Sequence, residues 1–231
     1  MTILVSAFIY LSGANKSIEE YINYGIKLIN LDINKIIFID DTLYNHFKYI
    51  HSSKTRLIRI KLENLYLYKY KNQIKLDINT TNPNKDSFEY FCIQCNKTEW
   101  LKEAIELKLF KEDNYIWIDF GIYHVISKVN LEIINKEYNK VRIANIWNLN
   151  IQYSSNIYKD ICWYFAGGVF GGDIDSLIKF AKLMREKCVE IIENKNILIW
   201  EVNIWYLIWQ NNKDLFLPYN CNHNQSIIDN Y

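Results

Sequence analysis

The chain has 231 residues, half of them hydrophobic and 23% charged, which excludes intrinsic disorder for most of its length and suits one sizeable domain. With 27 basic against 26 acidic side chains the net charge is +1, so no basic field marks nucleic acid or an anionic membrane surface as an obligate partner. No apolar run reaches the ~18–20 residues of a membrane span, and five cysteines at wide spacings argue for a reducing, cytoplasmic setting over a disulfide framework.

Residues 3–9 (ILVSAFI) form a continuous apolar run, as in a strand covered on both faces. No basic segment precedes this run and polar Asn15-Lys16-Ser17 follows, so it reads as a buried strand and not as a signal peptide. Ser17 and Glu20 make a capping box that opens a helix, with Ile18, Tyr21, Ile22, Ile26 and Ile29 at helical spacing to about Leu31. Residues 35–39 (KIIFI) are a second buried strand ending at Asp40-Asp41, and 56–60 read as a third. The stretch 61–95 carries weak period-2 alternation and a turn cluster at Asn82-Pro83-Asn84-Lys85-Asp86.

Asn96 and Glu99 repeat the capping-box spacing before Trp100, Leu101, Ala104, Ile105 and Leu109 at helical spacing. Residues 115–118 (YIWI) are a short strand ending in Asp119-Phe120-Gly121, and another strand is expected near 141–147. After 161–172 (ICWYFAGGVFGG) come a long helix from about Asp173 to Glu193, a strand at 196–200 and a helix from about Glu201 to Asn211. Alternating strands and helices imply an α/β fold with a mixed, mostly parallel central sheet flanked by helices, and ligands at the C-terminal strand ends. No internal repeat is visible, so residues 1–231 read as a single domain.

Three segments carry candidate chemistry. Gly167, Gly168, Gly171 and Gly172 are four of the chain's seven glycines. Glycine is unfavourable inside a strand, so the pairs mark either close approach of the backbone to a ligand or a bulge and tight turn. Asp119 closes an apolar strand, where an ionised carboxylate needs a cation, a metal or several donors; the alternative is a turn-forming Asp that caps the Gly121 bend. Glu201 sits at a strand-to-helix junction, where the helix dipole also favours an acid for purely structural reasons. Cys92-Ile-Gln-Cys95 lacks the further ligands of a zinc site and reads as two buried thiols.

In order along the chain, VSAFIYL, SIEEYINYGIKLINLDINKIIFIDD, NKTEWLKEAIE, WIDFGIYHV, FAGGVFGG and the WEVNIW region resemble GT-A-type glycosyltransferases, and more narrowly the bacterial HtrL/YibB-like family. FAGGVFGG and the Trp-containing acidic stretch after the long helix are also similar to ABO-type retaining glycosyltransferases, over the C-terminal third only.

The resemblance implies a Rossmann-like nucleotide-binding N-terminal half, an acceptor-binding C-terminal half, and transfer of a sugar from a nucleotide-diphosphate donor, UDP-linked, to a glycan hydroxyl. It implies Mn²⁺ or Mg²⁺ at Asp119, the first carboxylate of a D-x-D pattern whose second position is Gly121 here, with His223 completing the shell. Val5, Ser6 and Ala7 fall where base and ribose sit in similar folds, and Asp40 contacts the nucleotide or caps the next helix. Arg56 is the nucleotide or diphosphate contact, and Gly167, Gly168, Gly171 and Gly172 shape the floor beneath the donor sugar. Glu201 is the candidate catalytic carboxylate, a base in an inverting enzyme or an oxocarbenium stabiliser or nucleophile in a retaining one. The ABO-type likeness shifts that position to Asn203. The implied partners are a nucleotide-sugar donor and a glycan acceptor, with homo-oligomers left open. The alternative function is a non-catalytic sugar-nucleotide or glycan-binding module on the same fold.

Overall fold

A computed structural model describes residues 1–13, 16–50, 52–79 and 85–231; Asn82, Pro83 and Asn84 of the expected turn cluster lie outside the described residues. Seven strands form one sheet: β1 (Thr2–Phe8), β2 (Lys35–Ile39), β3 (Thr55–Arg59), β4 (Asn114–Ile118), β5 (Val141–Asn145), β6 (Phe165–Asp173) and β7 (Phe216–Asn220). Their order is β3-β2-β1-β4-β6-β5-β7. The pairs β1–β2, β2–β3, β1–β4 and β5–β7 are parallel, whereas β6 runs antiparallel to both β4 and β5. The fold is α/β with a mixed, mostly parallel sheet, as the alternation of elements implied.

Successive strand residues go to opposite faces, and both faces are buried. Ile3, Val5, Ala7, Ile36, Phe38 and Trp117 pack in one core with α3 (Phe88–Cys95), α4 (Lys97–Leu107), α6 (Ile174–Lys195) and α7 (Glu201–Asn211). Leu4, Ile37, Ile39, Ile116 and Ile118 pack in the other, against α1 (Ile18–Ile29), α2 (Asp41–Phe47), α5 (Leu131–Ile134) and α8 (Ser226–Asp229). No helix among the described residues is long and apolar enough to cross a membrane. The five cysteines are free and buried.

Apart from one capping box and one strand the expected elements stand, and β7, α3, α5 and α8 are additions that the sequence reading did not place. The Ser17–Glu20 capping box is present, with both reciprocal hydrogen bonds. The one at Asn96 is not: Asn96 is helical, its side chain caps nothing, and Glu99 is held instead by Arg185 (Nε–Oε1 2.9 Å). Helix α4 therefore starts almost directly from α3. Residues 196–200 are not a strand; Leu198 and Ile199 are buried, but the segment has no place in the sheet. The unanticipated β7 contains Pro218, tolerable because β7 is an edge strand that needs no second ladder. The short helix α2 is the one expected if Asp40 caps the next helix, and Asp40 does so by accepting from Leu43 N (3.0 Å).

Candidate functional site

Asp119 leaves β4 at its C-terminal end, beside the C-terminal end of β1 where the order of strands turns back on itself. Its backbone N–H donates to Gly168 O (2.9 Å), so the first glycine pair of β6 lies against it. Trp117 Nε1 donates to Asp119 Oδ1 (2.7 Å). The ammonium of Lys97, the first residue of α4, lies 3.1 Å from Asp119 Oδ1 and 3.2 Å from Oδ2. It also donates to Glu201 Oε1 (3.0 Å) and to Gly167 O (3.1 Å). Residues 97, 119, 167 and 201 thus meet at one point, from α4, β4, β6 and α7.

Burial is uneven across this cluster. The side chains of Lys97 and Glu201 are 4% and 5% exposed, while that of Asp119 is 33% exposed. Burial opposes the charge on Lys97, but the carboxylates of Asp119 and Glu201 outweigh it and hold its pKa above the ordinary lysine value. Glu201 Oε2 is buried with no hydrogen-bond partner. A Cβ on residue 167 would collide with Glu201 Oε1 and stand 3.2 Å from Lys97 Nζ, so glycine is what lets the glutamate reach the lysine.

Asp119 and Lys97 face a cavity of about 230 Å³ whose walls include Ala7, Phe8, Tyr21, Tyr90 and Trp117. Lys16, Lys85 and His124 add polar and cationic groups to its wall. A larger hollow of about 450 Å³ opens on the other side of Trp100, between Arg59, Lys61 and the outer face of α4. Its charged groups include the Arg185–Glu99 pair, and no strand-end carboxylate reaches it.

The other candidates scatter. Ala7 lines the cavity; Val5 and Ser6 are sealed within the sheet. Asp40 is spent on structure: Oδ1 caps α2, and Oδ2 accepts from Tyr10 N (2.7 Å), clasping the ends of β1 and β2. Arg56 stands near the N-terminal end of β3, the wrong end of the sheet, bound to the carbonyls of Ser53 (3.0 Å) and Thr55 (3.1 Å) and stacked on Phe110. Gly171 and Gly172 pair with Ile116 and Tyr115, far down β4 from Asp119, because β6 is antiparallel. Gly171 instead makes room for the Tyr231 hydroxyl and Tyr115 O, and Gly172 for Lys140 O.

Asn203 is fully buried with every amide group used: Oδ1 accepts from Cys162 N (2.9 Å), and Nδ2 donates to Ile157 O and Asp160 O (2.7 Å each). It anchors the loop before β6 and offers nothing to a reaction. His223 lies against Trp163 with rings 5.8 Å apart. Partial burial, with His124 and Lys85, holds its pKa below the usual histidine value against the pull of Asp119. The C-terminal segment thus returns to the same end of the sheet.

The chain matches, over residues 8–222, the family described as "Bacterial protein of unknown function (HtrL_YibB)". The chain belongs to this family. No match was found among curated proteins. Among solved structures, the apo-form glycosyltransferase GlyE of Streptococcus pneumoniae TIGR4 is similar at 13% identity and a TM-score of 0.48, covering 94% of this chain and 44% of that one. The chain therefore spans less than half the length of GlyE.

For this HtrL/YibB member the implied divalent ion can be tested against the donor set. Among the described residues no group of three His, Cys, Asp or Glu side chains comes together that could hold a metal ion. Both oxygens of Asp119 already face an ammonium, and one also accepts from an indole. A hard divalent ion needs about six oxygen ligands at ~2.0–2.6 Å, and next to a fixed ammonium it would meet like charge. The residues present do not fit the ion. The thiols are equally unsuited: burial pushes Cys92 up to about 12 and Cys95 well above the usual thiol range.

Lys97 is the site residue that sequence reasoning missed. One signal was available: a lysine in the first helical turn opposes the helix dipole, so a buried one there needs acidic partners.

Proposed function

We propose that this chain is a glycosyltransferase of hexosyltransferase type. It moves a sugar from a nucleotide-diphosphate donor, UDP-linked, to a glycan hydroxyl in the cytoplasm. The observation that carries the reading is the convergence of Asp119, Glu201 and Gly167 on the buried ammonium of Lys97, which together with Asp119 lines a ring-walled cavity at the C-terminal ends of β1 and β4.

The enclosed volume of about 230 Å³ is below the ~300–1,000 Å³ of pockets for drug-sized ligands. It takes one end of an extended donor and leaves the rest in the open. Aromatic walls suit a base or a sugar face, and Lys16 and Lys85 supply positive charge for a diphosphate.

Glu201 is the general base in this reading. Lys97 fixes Oε1, and the unpartnered Oε2 is buried behind the cavity wall, so the acceptor hydroxyl reaches it only when that wall moves aside. As the hydroxyl oxygen bonds to the anomeric carbon, its proton passes to Glu201 and the bond to the diphosphate oxygen breaks. Asp119 acts through its exposed edge, orienting the sugar by accepting hydroxyl hydrogens.

A second reading, a non-catalytic sugar-nucleotide binder, is favoured by Gly121 at the second acidic position and by the engagement of both carboxylates with Lys97. A screen of UDP-, GDP- and CMP-sugars, read as released nucleotide, separates the two. Turnover lost in a folded Asp119→Ala variant supports transfer. Nucleotide binding without turnover supports the binder, and no affinity for any nucleotide sugar refutes both.

A further inference from the structure

We propose that the ammonium of Lys97 is the resident cation of this site and stands where the enzymes this chain resembles hold a divalent metal. Four oxygens surround Nζ at 3.0–3.2 Å: both of Asp119, one of Glu201 and the carbonyl of Gly167. Carboxylates joined by a backbone carbonyl are the donor set of a hard cation, spaced here for N–H···O contacts rather than metal bonds.

Three features show that the cage is built for this occupant. The lysine has three N–H donors, and the cage offers three separate groups to receive them, so none is wasted. Residue 167 must lack a Cβ for Glu201 to reach Nζ. The lysine occupies the first turn of α4, where the dipole disfavours a cation, and the carboxylates compensate. The cage with its lysine still carries one net negative charge, so the fixed cation neutralises only part of it.

The inference rests on the reading of this cavity as a donor site, but its test needs no turnover. Full-length protein is titrated with MnCl₂ alone, and free Mn²⁺ is read by its paramagnetic resonance signal. The wild type is expected to withdraw no stoichiometric Mn²⁺. Lys97→Met, which leaves the oxygens and removes the charge, is expected to bind one Mn²⁺ per chain roughly tenfold or more tighter than wild type, since the repelling ammonium is gone. Adding Asp119→Asn to that variant should abolish the gain.

Stoichiometric binding by wild type that disappears in Asp119→Asn overturns the proposal. So does a folded Lys97→Met protein that binds no more Mn²⁺ than wild type. Should Lys97→Met not fold, UDP affinity of wild type with and without a chelator decides. Equal affinity supports the resident lysine, and UDP binding that needs both Mn²⁺ and Asp119 sinks it. Absence of any UDP affinity refutes the donor-site reading instead, and the wild-type metal titration then decides this one.

Discussion

Replacing Lys97 by Met tests the centre of the site through stability alone. The substitution keeps most of the buried stem and removes the ammonium from three acceptors at 3.0–3.2 Å. Asp119 is 33% exposed and can rehydrate, so its share of the loss is small, within the ~0–1 kcal/mol of exposed pairs. Glu201 is 5% exposed, and its other oxygen already lacks a partner, so it is left charged with nothing to satisfy it. Stranding one member of a buried pair costs about 3–5 kcal/mol, a large part of the ~5–15 kcal/mol that holds a domain folded. Adding Glu201→Gln should return about 1–3 kcal/mol, because the double variant no longer buries a charge. Urea unfolding followed by tryptophan fluorescence reads both numbers, provided the slope stays that of wild type. A loss below about 1 kcal/mol, or a double variant no more stable than Lys97→Met, would refute the buried-triad account.

Gly167→Ala should push Glu201 off Lys97 and lower turnover by about 100-fold, the usual consequence of a 1 Å misplacement. Gly171→Ala should instead cost about 1–3 kcal/mol through collision with Tyr231 and Tyr115, with kinetics of the surviving folded protein unchanged. Steady-state rates and melts of the pair separate the roles; equal kinetic losses would mean that both glycines serve one site. Asn203→Ala should cost about 2–4 kcal/mol by freeing the loop at Ile157–Cys162, and a folded variant without turnover would restore a catalytic part for this residue. Lys35, at the start of β2, has its pKa lowered by burial to about 8. The unfolded chain keeps that proton to about pH 10, so between 8 and 10 the unfolded state binds more protons and stability should rise with pH. The rise is on the order of 1–3 kcal/mol, and it should vanish in Lys35→Met; a wild-type denaturation midpoint flat across that window rejects the assignment.

Most of the fold was legible because its signals are local. Buried strands announce themselves as apolar runs, and β1, β2 and β4 fall within a residue or two of their expected ends. The Ser17 box works as written because its partner Glu20 has nothing else to do but pair with Lys16. The Asn96 box has the same spacing and fails because a residue 86 positions away, Arg185, takes its glutamate. The strand expected at 196–200 failed for a similar reason. Its apolar residues are buried in the core, but the sheet position beside β5 is filled by β7. Hydrophobic periodicity reports burial, and burial alone does not say whether an extended segment finds a ladder.

The site divides along the same line. Asp119 and Gly167–Gly168 could be read in advance because each breaks a local rule, a charge ending an apolar strand and glycines inside one. The second glycine pair breaks the same rule for a different cause, and only the direction of β6 separates them. Running antiparallel to β4, it carries residue 168 to Asp119 and residue 172 to the opposite end of that strand. Asn203 shows that a polar residue two places from a candidate acid on a helix points elsewhere, here into the loop that it anchors. Lys97 was the hardest to see, since a lysine beginning a helix looks like solvent-facing decoration. Its burial follows from where α4 starts. With only Asn96 between α3 and α4, the first residue of α4 is not at a free chain end, and its ammonium reaches the meeting of β4, β6 and α7. A cation forced into that position demands anions from other elements, and the two acids flagged from sequence are those anions.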